Sequence, residues 1–288
     1  MSETALSNDE FTAFWNDVLA VKFDRFRDIL ILGLGSHSKA PLSALELPPG
    51  SSALDVGCGW GDTAIELAQK VGSTGSVVGI DCCRSFLEYA RVDAQRAGLT
   101  NVRFVEADVQ TYAFRPEYDF CFSRFGMMFF AHPVAAMRNV KSALKPGAVF
   151  MFITWRSIED NPWALIPKKI MREFLPPPSD DAQTCGPGPF SMASPDVVKP
   201  QLTAAGFTDI EFKRIDVPVM VGRNVEQAMQ FQFAIGPAGE IFREAGEKAE
   251  HHRAEIEQAL RSELGRHLRD GEVFMPSGSW TITARRPE

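Results

Sequence analysis

The segment Leu54-Asp55-Val56-Gly57-Cys58-Gly59-Trp60-Gly61 constrains this chain more than any other. Three alternating glycines follow an apolar run, Ser52–Val56. They precede a stretch, Asp62–Val71, that sets Ala64, Leu67, Ala68 and Val71 on one helical face. A strand that turns this tightly into a helix needs the backbone freedom of glycine, and the helix start leaves unpaired N–H groups beside the turn. Alone the feature is weak, since an ordinary strand-to-helix turn also uses one or two glycines.

The surroundings extend the pattern. Apolar runs at 77–81, Val102–Glu106, 120–123 and 149–155 alternate with helix-period segments at 85–97 and 133–144. Gly98 stops the first of these helices and Pro146-Gly147 the second. Later strands are expected at 209–215 and 279–284, after a helix at Pro195–Ala205. This alternation predicts the α/β class, with a doubly wound, seven-stranded, mostly parallel sheet covered on both faces. Two stretches break the rhythm. Residues 157–195 carry Pro162, Pro176-Pro177-Pro178 and Cys185-Gly186-Pro187-Gly188-Pro189, and read as an insertion with one short helix near 163–174. Residues 224–269 read as a long polar helical region in which Ile256, Leu260, Leu264 and Leu268 recur every four residues. At the other end, 11–34 is helical and aromatic. Phe11, Phe14, Trp15, Phe23 and Phe26 must close over a ligand or over a second copy of the chain in a homodimer.

The acids decide what the turn binds. Asp81 closes the second strand about 20 residues beyond Gly61, where a carboxylate can accept ribose hydroxyls. Asp108 closes the third strand. The carboxyl ends of neighbouring parallel strands converge on one crevice, so these acids form a constellation around a nucleoside. A nicotinamide dinucleotide site would want glycine at position 62, close to its pyrophosphate. Asp62 stands there, with Asp55 just upstream, and both suit a ligand with positive charge. No tyrosine is followed four residues later by lysine; Tyr89, Tyr112 and Tyr118 are followed by Asp93, Pro116 and Phe122. S-adenosylmethionine (SAM), with its ammonium and sulfonium, fits better than NAD(P), whose oxidoreductases remain the alternative.

Composition closes off other classes. The formal net charge is −7, and the longest basic cluster, Lys168-Lys169 with Arg172, reads as a solvated helix face, so no nucleic-acid partner is expected. No apolar run reaches the roughly 18 residues of a membrane span, and Met1-Ser2-Glu3-Thr4 lacks a leader pattern, which predicts the cytoplasm. Five cysteines without paired spacing, and His251-His252 without nearby cysteines, predict no metal.

These residues together resemble the class I SAM-dependent methyltransferases, with their Rossmann-like fold. Residues 54–61 look like the first motif, Gly79-Ile80-Asp81 the second, and Ala107-Asp108-Val109 the adenine-contacting segment. Leu144-Lys145-Pro146-Gly147 looks like the signature before the fifth strand. Phe122–Phe130, Asn161-Pro162-Trp163, Gly188-Pro189-Phe190 and Ala205-Gly206-Phe207 are similar to a bacterial subgroup related to the ubiquinone/menaquinone-biosynthesis C-methyltransferases. The resemblance implies cofactor contacts from Asp55, Gly57, Cys58, Gly59, Trp60, Gly61, Asp81, Cys82, Asp108, Val109, Ser123 and Arg124. It also implies an N-terminal helical lid at 1–45, and a SAM-binding domain at 46–288 with lid insertions at about 157–195 and 224–270. The implied activity is methyl transfer to O, N or C of a small apolar or aromatic acceptor, with a non-methylating role on the same fold as a further alternative.

Transfer from a sulfonium is an in-line displacement that needs a general base only where the acceptor holds its proton. His132, after the fourth strand, is the candidate catalytic base, and His37 a weaker one. Met127, Met128, Phe129 and Phe130 are either an apolar acceptor wall or core residues.

Overall fold

The computed structural model describes residues 8–179 and 185–288. Met1–Thr4 and residues 180–184 of the 157–195 insertion lie outside the described residues. The chain enters through α1 (Asp9–Phe14), a π-helical turn (Trp15–Leu19), α2 (Ala20–Arg25) and α3 (Arg27–Ser43). The single aromatic helix expected at 11–34 is therefore several pieces. The main break falls at Phe26, whose φ of −110° and ψ of 19° leave the helical region.

Five strands then run parallel: β1 (Ser52–Val56), β2 (Ser76–Asp81), β3 (Val102–Glu106), β4 (Tyr118–Arg124) and β5 (Leu144–Trp155). The helices between them are α4 (Asp62–Val71), α5 (Arg84–Arg96) and α6 (Pro133–Ala143). Beyond β5 come α7 (Pro162–Phe174), α8 (Pro195–Ala205) and β6 (Thr208–Gly222). Four helices follow, α9 (Val225–Ala234), α10 (Gly236–Ala245), α11 (Glu247–His251) and α12 (Arg253–Gly265), where the sequence suggested one long region. The chain ends with β7 (Leu268–Arg269) and β8 (Glu272–Arg285).

The sheet order is β3-β2-β1-β4-β5-β8-β6. β8 is antiparallel to both neighbours, so β6 points the same way as the first five strands. The two-residue β7 adds an eighth strand to the seven expected, paired to β8. Its cause is local: Asp270 (φ 51°) and Gly271 (φ 88°) form a two-residue hairpin loop of the kind that needs positive φ at both positions. Leu268 is consequently exposed, and the buried stripe of α12 ends at Leu264.

Phe120, Phe122, Phe150 and Phe152 of the central strands are fully buried, as strands covered on both faces should be. After β3 the chain crosses back past β1 to form β4. The strand order reverses there, opening a crevice at the carboxyl ends of β1 and β4. The N-terminal helices close on it. α3 lies so near β6 that a Cβ on Gly33 would sit 2.8 Å from the Met220 carbonyl.

Candidate active site

The turn after β1 places each glycine for a different reason. Gly57, Gly59 and Gly61 all have left-handed φ (64°, 52° and 78°), which disfavours any other residue. A Cβ on Gly57 would lie 3.0 Å from the Gly126 Cα, so two backbones meet there. A Cβ on Gly61 would strike Ala90 and Phe104, each at 2.7 Å, so this glycine seats α4. A Cβ on Gly59 would meet nothing within 4 Å. That open position faces a cavity.

Asp81 holds the turn in shape. One carboxylate oxygen accepts from the Gly59 N–H at 2.8 Å and the other from the Cys83 N–H at 2.9 Å. Burial raises its pKa, and the backbone donors pull the other way. Each oxygen keeps a further lone pair for a hydroxyl donor. Asp108, beyond β3, accepts from the Gln110 N–H at 2.9 Å.

The cavity is about 720 Å³, within the usual range for small-molecule sites. Gly57, Cys58, Gly59, Trp60, Asp81 and Cys82 line one part of its wall, with Asp108, Val109 and Arg124. Asp62 lines it too, but its charge is not free. The Arg124 guanidinium lies 2.8 Å away and also donates to Ser38 at 3.3 Å. The contribution of Asp62 to a cationic ligand is therefore weaker than its position in the sequence suggested.

Three expected contacts lie behind the wall. Asp55 is fully buried, and one oxygen accepts from the Thr63 hydroxyl at 2.6 Å while the other has no partner. Desolvation raises its pKa to about 7. Ser123 is fully buried with an unpartnered hydroxyl, 3.0 Å from where a Cβ on Gly126 would stand. Gly61 faces α5 and β3.

The histidines lie elsewhere. His132 is exposed and outside the cavity lining; its backbone N–H donates to Gln110 at 2.7 Å, and its side chain caps nothing. His37 is fully buried between Ser279 (2.8 Å) and Ser277 (2.9 Å), which occupy both ring nitrogens. Burial, helped by the Arg124 charge, lowers its pKa to about 3. It is a neutral structural imidazole and not a base. Among the described residues no histidine lines the cavity. Met127 is buried core, while Met128, Phe129 and Phe130 do reach the wall.

Several lining groups are not evident from sequence spacing. Phe125, at a strained φ of 58°, stacks on Trp155 at 4.1 Å, and Trp155 lies 5.2 Å from Trp163. Trp60 donates to Asp24 of α2 at 2.8 Å, and Asn16 donates to the Cys82 carbonyl at 2.9 Å. These bonds tie the N-terminal helices across the crevice. Lys168 and Arg172 line the cavity as well; Lys169 and Arg172 are exposed, as expected of a solvated face, while Lys168 is half-buried.

The arrangement fits a nucleoside with an amino-acid tail. The Gly59 cradle is open, Asp81 and Asp108 stand at successive strand ends, and unpartnered oxygens of Asp55 and Ser123 lie just beneath the turn.

Residues 47–178 match a family model described as a methyltransferase domain. The demethylmenaquinone methyltransferase of Staphylococcus epidermidis is 31% identical over 142 residues, 48% of this chain and 56% of that one. The chain thus matches about half the length of such curated relatives. A SAM-dependent methyltransferase from Aquifex aeolicus superposes with a TM-score of 0.51 at 23% identity, covering 68% of this chain and 92% of the other. Phosphoethanolamine N-methyltransferase 2 of Haemonchus contortus, solved with SAM, superposes with a TM-score of 0.54 at 15% identity, covering 100% of this chain and 62% of the other. These structures establish the Rossmann-like methyltransferase fold. The family match is to a methyltransferase domain, which leaves the NAD(P)-oxidoreductase alternative without support.

Proposed function

We propose, on the premise that residues 47–178 are a methyltransferase domain, that this chain is a SAM-dependent methyltransferase acting on a small apolar or aromatic acceptor. The observation that carries the reading is the convergence of the open Gly59 turn, Asp81 and Asp108 on one cavity. Asp81 would accept the ribose hydroxyls, Asp108 the adenine amino group, and Val109 would lie against the ring. Gly57, Cys58, Gly59 and Trp60 would pass along the methionine end, with Arg124 on the inner wall. Asp55, Gly61 and Ser123 are assigned to shaping the turn from behind.

SAM supplies an activated methyl group on its sulfonium. The protein's part is to orient the acceptor in line and to exclude water. Phe125, Trp155 and Trp163 form a continuous aromatic wall for the acceptor. The N-terminal helices, α7, the 185–189 stretch and α10 would serve as the lid. With no imidazole in the lining among the described residues, His132 is given no base role. Among the described residues no helix is long and apolar enough to cross a membrane, and a cytoplasmic site of action is part of the proposal.

Titration calorimetry with S-adenosylhomocysteine and, separately, NAD tests the cofactor assignment. Binding of NAD alone would overturn it. Transfer of tritiated methyl from SAM into a metabolite extract tests the activity. Tight S-adenosylhomocysteine binding with no labelled product would instead favour a non-methylating role.

A further inference from the structure

The part of the cavity wall outside the strand ends is built from α7, α10, the 185–189 stretch and the N-terminal helices. Its surface is largely aromatic and aliphatic, with Trp15, Phe23, Leu30, Trp163 and Ile241 prominent, and Phe129 and Trp155 adjoin it from the ends of β4 and β5. The charged groups of the whole cavity sort into three sets. The first is compensated: Asp62 by Arg124 at 2.8 Å, and Arg243 by Glu240 and Glu244 at 2.7 and 2.6 Å, with Lys22 3.8 Å from Glu240. The second is Asp81 and Asp108, at the strand ends assigned to the cofactor. The third is Lys168 and Arg172.

These last two stand one helical turn apart on α7, so their side chains share a face. Lys168 is half-buried and Arg172 exposed, and both line the cavity. Among the described residues neither has a carboxylate partner; Arg172 donates only to the Leu175 carbonyl. Two neighbouring positive charges on a mostly apolar wall, with no carboxylate beside them among the described residues, set up a positive potential that favours an anion there.

Resting on the methyltransferase reading of the same cavity, we propose that the acceptor carries an anionic group, such as a carboxylate, sulfonate or phosphate, that docks on Lys168 and Arg172. Its apolar body lies on the aromatic wall, to which the same helix contributes Trp163. A cationic acceptor would be opposed by both side chains. A fully neutral one would make no use of the pair's charge. The long range of charge interactions also lets the pair steer an anion into the cavity.

The test uses two fluorescent probes of one shape, anilinonaphthalene sulfonate and its neutral parent anilinonaphthalene, titrated into the full chain. In Lys168→Met/Arg172→Met the sulfonate should bind about tenfold or more weakly. The neutral probe and S-adenosylhomocysteine should stay within about twofold of wild type. Lys168→Met alone, which keeps the Arg172 bond to Leu175, should move the sulfonate in the same direction by a smaller factor. Unchanged sulfonate affinity in both variants, or equal weakening of both probes, overturns the anion site. Failure of the wild type to bind S-adenosylhomocysteine overturns the methyltransferase reading, while the probe comparison still reports on the anion site.

Discussion

The glycine turn yields the sharpest prediction, because its glycines should fail in different ways. Gly59→Ala puts a methyl group into open space, so the folded protein bears only the left-handed strain, about 1–2 kcal/mol. For a chain of this size that corresponds to a fall in Tm of roughly 2–8 °C. The same methyl points into the cavity where the cofactor's methionine end is assigned, and should weaken S-adenosylhomocysteine by at least about tenfold. Gly61→Ala bears the same strain and adds contacts at 2.7 Å with Ala90 and Phe104, neither at the end of a long flexible side chain. Overpacking of this kind adds about 1–3 kcal/mol, for a total near 2–5 kcal/mol. Urea denaturation and calorimetry on the two variants separate the effects. If Gly59→Ala binds S-adenosylhomocysteine within about twofold of wild type, the turn does not cradle the cofactor. If Gly61→Ala is as stable as Gly59→Ala, the packing argument is wrong.

Other predictions follow from charge. Asp55 has a pKa of about 7 when folded, against 3.8 ordinarily, so its contribution is full below pH 4 and is lost as pH rises toward 7, then levels off. The loss is about 4 kcal/mol at 1.36 kcal/mol per pH unit. Asp55→Asn should remove that slope in urea melts from pH 4 to 8, and parallel profiles for the two proteins would refute the assignment. Arg124→Met strips Asp62 of its partner and should destabilise the fold by about 3 kcal/mol, with Asp62→Asn restoring part of the loss. A double-mutant cycle giving a coupling below about 0.5 kcal/mol would show the pair to be incidental. His132→Ala should leave methyl transfer within about twofold, since a base contributes at least about a hundredfold; a loss on that larger scale would return the residue to the chemistry.

What the sequence reveals here follows the range of the interactions involved. Strand, glycine turn and helix are neighbours along the chain, so β1 to β5 and the places of Gly59, Asp81 and Asp108 are legible from periodicity and spacing. The Asp270-Gly271 turn was equally local, and its chemistry accounts for β7 and for the exposed Leu268. The remaining features depend on contacts between distant segments. Asp62 looks like a free carboxylate until Arg124, 62 residues away, pairs with it. His37 looks like a base until serines more than 200 residues away engage both ring nitrogens. That Lys168 and Arg172 also border the cavity is not legible, because spacing along α7 distinguishes faces without saying what each one meets. The strand-end part of the cavity, proposed here for the cofactor, comes from one compact run of the chain. The part proposed for the acceptor is assembled from the N-terminal helices, α7, the 185–189 stretch and α10, whose mutual placement no local pattern encodes. That asymmetry explains why the cofactor could be inferred from residues alone, while the charge expected of the acceptor required the folded cavity.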